Sequence, residues 1–141
     1  MLTRIIGLVG WLGGLFGIEG LTLQKMLGWV FGPLMYLLSV PWSEAQVSGA
    51  FFGEKLILNE FVAYLHFGQI AHTLSPRAEA ITTFALCGFA NLSSIAIQMG
   101  ALGSLVPELR EFIARYGLRA VAAGSLSNLM SAALAGLLLD V

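Results

Sequence analysis

From Ala80 to Val106 the chain runs for 27 residues without a charged side chain. About 20 apolar residues suffice to cross the hydrocarbon core of a bilayer, so this stretch must lie within a membrane. The whole composition agrees: 57% of the 141 residues are hydrophobic, 11% are charged and the mean hydropathy is +0.85. Ordinary soluble domains have about 45–50% apolar and about 25% charged residues, which excludes a soluble globular protein. Seven basic against eight acidic residues leave a formal charge of −1, so no basic surface exists to grip nucleic acid. The single cysteine, Cys87, sits in an uncharged stretch away from any Cys/His cluster, which excludes a disulfide framework and gives no metal set. No nucleophile–base arrangement or phosphate-binding loop occurs, so an enzyme is not expected.

The uncharged run is not a simple helix. It carries Gly88, Asn91, Ser93, Ser94, Gln98, Gly100 and Gly103, and Pro107 stops it. Glycine and polar groups at mid-depth predict a helix over 78–106 that is broken in its middle, freeing backbone groups to bind something. After it, 108–139 reads as a last spanning helix, with Arg110, Arg115 and Arg119 before an uncharged run. Before it, 21–42 reads as a scaffold span closed by Pro41-Trp42, and 1–20 as a truncated or interfacial helix. No internal repeat or linker divides the chain.

Residues 43–72 differ from these spans because Glu44, Glu54, Lys55, Asn59 and Glu60 interrupt the apolar residues too often for a lipid-exposed helix. Two half-length helices, 45–52 and 58–67, joined near Gly53, predict a re-entrant hairpin. Glu54 would be a solvated residue at its tip. Lys25, Arg110, Arg115 and Arg119 against Arg77 place their ends of the helices in the cytoplasm, with the hairpin entering from outside.

Glu60 stands out, since an acid inside an apolar hairpin pairs, protonates or meets a polar substrate. With Asn59 beside it, its carboxylate can accept from two vicinal hydroxyls, a geometry that suits a sugar. An ion pair with Lys55, five residues back, or with a nearby arginine is the structural alternative. Asn91, Ser94 and Gln98 recur at i, i+3 and i+7, on one helical face, either to line a cavity or to bond between helices. Phe89 offers a ring to a planar ligand or to packing. Ala120, Gly124, Asn128, Ala132 and Gly136, at intervals of four, form a small-residue stripe for close helix approach, with Asn128 bonding across it. His66 and His72 read as surface residues and Cys87 as a packing residue.

The string Gly53-Glu54-Lys55-Leu56-Ile57-Leu58-Asn59-Glu60-Phe61-Val62-Ala63-Tyr64 resembles the signature Gly-x-Lys-x-x-x-Asn-Glu-Phe-Val-Ala of the concentrative nucleoside transporter family. Cys87-Gly88-Phe89-Ala90-Asn91-Leu92-Ser93-Ser94-Ile95 resembles the broken helix of that family, with Leu92 where many members have Phe. Gly10-Trp11-Leu12-Gly13-Gly14-Leu15-Phe16-Gly17 resembles the segment before the hairpin. The resemblance implies an all-α integral membrane protein of spanning helices, re-entrant hairpin and broken transmembrane helix, the second half of a transporter core. It implies cation-coupled nucleoside symport across the cytoplasmic (inner) membrane by alternating access. Glu60 and Asn59 would bind ribose hydroxyls, Asn91 and Ser94 would hold the sugar, Phe89 would lie on the nucleobase, and Gly53 and Lys55 would form the gating tip. The coupling ion, sodium or a proton, would bind in an N-terminal half that is absent here and must be supplied in cis or in trans, and the complete protein would be a homotrimer in the bilayer. No covalently bound cofactor, metal or nucleic acid is implied. The competing expectation is a transport-incompetent fragment or membrane interaction protein whose polar cluster serves only packing.

Overall fold

The computed structural model describes residues 22–139, so the expectations for 1–20 lie outside the described residues. Helix α1 (Leu23–Leu37) starts where the Thr22 hydroxyl accepts from the Lys25 backbone N–H at 3.2 Å, and it ends in a turn with Ser39 at φ 73°. Pro41 is extended and opens helix α2 (Trp42–Ile57), so Trp42 belongs to the second helix and not to the 21–42 span expected. At about 1.5 Å per residue, the 15 residues of α1 reach well short of a bilayer core of about 30 Å. The two helices cross at glycine: a Cβ on Gly49 would stand 2.5 Å from the Gly32 nitrogen, and one on Gly28 would stand 2.6 Å from the Gln46 carbonyl oxygen.

The hairpin joint falls at Leu58-Asn59, after which helix α3 (Glu60–Ile70) returns. Gly53 is not the tip; it lies buried inside α2, where Leu27 and Phe31 of α1 leave no room for a side chain. The chain turns where a cap is available instead, because the Asn59 side chain accepts from Val62 N at 2.9 Å. A short 3₁₀ turn (Ala71–Thr73) leads to helix α4 (Pro76–Leu86). Ser75 caps α4 while donating both its backbone N–H and its hydroxyl to the Glu44 carboxylate, at 3.0 and 2.6 Å, which ties the open end of the hairpin to the start of α4. Residues 87–91 are not helical, and helix α5 (Leu92–Leu105) follows, so the expected break is present and is five residues long.

Helix α6 (Leu109–Leu138) has 30 residues and, among the described residues, alone is long and apolar enough to cross a membrane. Its small-residue stripe packs as expected: a Cβ on Gly124 would meet Ala90, and one on Gly136 would meet Ile81. Ala132 is fully buried in a core of Met35, Val40, Ala45, Phe52, Ala78, Ile81, Ala85 and Leu129, which joins α1, α2, α4 and α6. Asn128 lies 2.9 Å from where a Cβ on Gly88 would stand, and its buried amide nitrogen has no hydrogen-bond partner among the described residues, so the bond expected across the stripe is not seen there. Arg77 donates to the Gly136 carbonyl at 2.6 Å, which places the start of α4 beside the end of α6. Lys25 lines a groove with Gln46, Val47 and Ala50 of α2.

Candidate functional site

Four half-length helices end near one another, and the polar residues of the hairpin meet the break there. Glu60 is the first residue of α3, and Asn91 is the N-cap of α5. Asn91 Nδ2 donates to Glu60 Oε2 at 2.9 Å, and Asn91 Oδ1 accepts from Ser94 N at 2.8 Å. The Ser93 hydroxyl lies 2.7 Å from both the Leu58 carbonyl oxygen and Asn91 Oδ1, and the Ser94 hydroxyl lies 2.6 Å from the Phe89 carbonyl oxygen. A carboxylate is thus held at two helix N-termini, where exposed N–H groups and helix dipoles favour negative charge.

The opposite helix ends gather a positive charge. Lys55 is fully buried in the last turn of α2, and its ammonium donates to the carbonyls of Ala85 at 3.1 Å and Cys87 at 2.9 Å, at the end of α4. Lys55 thus bonds to backbone and makes no salt bridge with Glu60 among the described residues. The Tyr64 hydroxyl donates to the Thr83 carbonyl at 2.7 Å and lies 3.2 Å from Cys87 Sγ. Lys55, Ser93, Tyr64 and the Glu60–Asn91 bond together fasten the hairpin to the broken helix.

The residues expected to bind a ligand separate into two groups. Asn91 is 1% exposed, and Asn59 is half-buried with its side-chain oxygen on the cap. Glu60 is half-buried with Oε2 occupied, and Phe89 is 77% exposed. The Asn91, Ser94 and Gln98 face is divided by the same logic, since Asn91 precedes the helix while Ser94 and Gln98 line an open groove with Phe89, Phe112 and Tyr116. That groove, of about 250 Å³, does not reach Glu60.

Two features escaped the sequence reading. Glu54, expected in solvent, is 5% exposed and bonds at 2.8 Å to Nδ1 of His66, which is exposed as expected. Their 12-residue separation spans the hairpin joint, and only the position of that joint relates them. Cys87 sits in the break, exposed, and not in a packed interior.

Residues 1–136 match the family described as Na+ dependent nucleoside transporter C-terminus. An uncharacterized transporter of Bacillus subtilis is 52% identical over 137 residues, covering 97% of this chain and 34% of its own length. The nucleoside permease NupC of Helicobacter pylori is 48% identical over 129 residues, covering 88% of this chain and 31% of its own. The solved structure of CNTnw in an inward-facing substrate-bound state matches with a TM-score of 0.86 at 51% identity, over 96% of this chain and 34% of that one. The chain spans about a third of the length of these relatives.

Proposed function

The chain belongs to the concentrative nucleoside transporter family, matching its C-terminal part, and from that premise we propose that it supplies the ribose-binding half of a cation-coupled nucleoside symporter. The observation that carries the reading is the half-buried Glu60 carboxylate, oriented through Oε2 by the buried Asn91. Vicinal hydroxyls of a ribose are donors that such a carboxylate accepts in pairs. Phe89, exposed in the break, gives its ring to the nucleobase, and Ser94, lining the same groove, meets the sugar's edge. Asn91 and Asn59 hold the binding groups in place by capping α5 and α3.

The protein is multi-pass in the cytoplasmic membrane and works by alternating access with the rest of the transporter, in cis or in trans, as part of a homotrimer. Arg110, Arg115 and Arg119 at the start of α6 lie in the cytoplasm, and the open end of the hairpin, with Arg77 and the end of α6, lies outside. Nucleoside transport is the established description of relatives such as the Helicobacter pylori permease, and α2 and α3 are the hairpin that re-enters.

Glu60→Gln in the complete transporter tests the assignment, because it removes one of the acceptor oxygens and the charge while preserving shape. Uptake of labelled uridine and adenosine falls at least about tenfold at normal membrane abundance, the equivalent of about 1.4 kcal/mol. Uptake at the unsubstituted level overturns the role of Glu60. The burial of Asn91 favours one element of the packing reading, and nucleoside protection against thermal unfolding decides it: protection requires a binding site, and a purely structural cluster gives none.

A further inference from the structure

A helix that ends inside an apolar environment leaves carbonyl oxygens without helical donors, and unwound carbonyls of this kind are what transporters use to coordinate a free cation. In this chain those oxygens already have one. The Lys55 ammonium sits at the end of α2, donates to the carbonyls of Ala85 and Cys87 at the end of α4, and has the Phe52 ring face 5.8 Å away. Two carbonyl oxygens, two helix C-termini and a ring are a cation's surroundings, and the side chain that fills them is fully buried. Among the described residues no group of three or more His, Cys, Asp or Glu offers another cation set. The Lys55 ammonium therefore occupies the two carbonyl oxygens, of Ala85 and Cys87, that a free cation would otherwise meet here.

We propose that the Lys55 ammonium is the resident cation of this half-site, a tethered ion that holds the hairpin on the broken helix. Lys55 is thereby a positioning residue. It fixes the break immediately before Gly88 and Phe89, and it sets the approach of the two elements that brings Glu60 to Asn91. The cation assignment concerns the fold itself; only its consequence for transport rests on the symporter reading.

The test replaces the tether and keeps the ion. Lys55→Ala in the complete transporter removes what n-propylammonium can supply, three carbons and the charged nitrogen. Uptake drops at least about tenfold and returns to within about threefold of the unsubstituted level when n-propylammonium is added. Neither propan-1-ol, which fills the space without charge, nor tetramethylammonium, which has no N–H to donate, restores it. Absence of rescue by the amine, or equal rescue by propan-1-ol, overturns the proposal. In detergent, the amine raises the melting temperature of the alanine variant and leaves the unsubstituted protein unchanged; this readout holds even if the unsubstituted protein fails to transport, a result that refutes the symporter reading alone. If the alanine variant does not reach the membrane, Lys55→Gln, a neutral donor, is decisive: uptake within twofold of the unsubstituted level overturns the proposal, and a tenfold loss at normal abundance upholds it.

Discussion

At the scale of single residues, the hairpin is organised by side chains that serve backbone or each other in place of solvent. Glu54 and His66 show the cost of breaking such a pair. His66→Ala leaves the buried Glu54 carboxylate without its donor, and Oε2 already lacks one. The expected loss is about 1–3 kcal/mol of stability, read as a lower melting temperature in detergent, while Glu54→Gln combined with His66→Ala recovers part of it. A melting temperature unchanged in His66→Ala would show the pair to be dispensable. Gly88 is a second residue-scale constraint. Its φ of 89° and the Asn128 amide 2.9 Å from where a Cβ would stand make Gly88→Ala unfavourable by at least about 1–2 kcal/mol, again read by melting.

At the scale of elements, the sequence exposed the break and the hairpin more clearly than the place where the hairpin turns. A charge-free stretch carrying Gly88, Asn91, Ser93 and Ser94 admits few other readings in an apolar setting. The joint was displaced because a glycine between two short apolar runs looks like a turn from sequence alone. Gly53 is there for a different reason, the approach of Leu27 and Phe31, and that contact depends on a helix crossing that local sequence does not encode. The same distance from sequence hid the burial of Lys55, whose two acceptors lie 30 and 32 residues away and are backbone oxygens with no side-chain signature. The crossing itself is testable. Gly49→Ala drives a methyl into the backbone at Phe31-Gly32 and forces α1 and α2 apart, at a cost of about 1–3 kcal/mol. An alanine variant that melts with the unsubstituted protein would show that the crossing yields freely.

At the scale of the whole molecule, one long helix, a latched hairpin and a broken helix make a half-site. Phe61 and Leu65 of α3 and Phe89 of the break are 67%, 54% and 77% exposed, large apolar side chains on the elements that carry the polar cluster. In the complete transporter a photo-crosslinking residue at Phe61 is expected to capture protein from outside this chain's sequence, and capture of lipid alone would contradict that placement. The latch has a further property. Four of its contacts, from Lys55, Tyr64 and Ser93, end on carbonyl oxygens of Ala85, Cys87, Thr83 and Leu58. Every amino acid carries that oxygen, so the acceptors are written in the path of the chain and not in its spelling. Mutational drift at 58, 83, 85 and 87 is limited only by size and shape, while the donors at 55, 64 and 93 have almost no freedom. The union of hairpin and broken helix can thus survive many changes on one side and very few on the other.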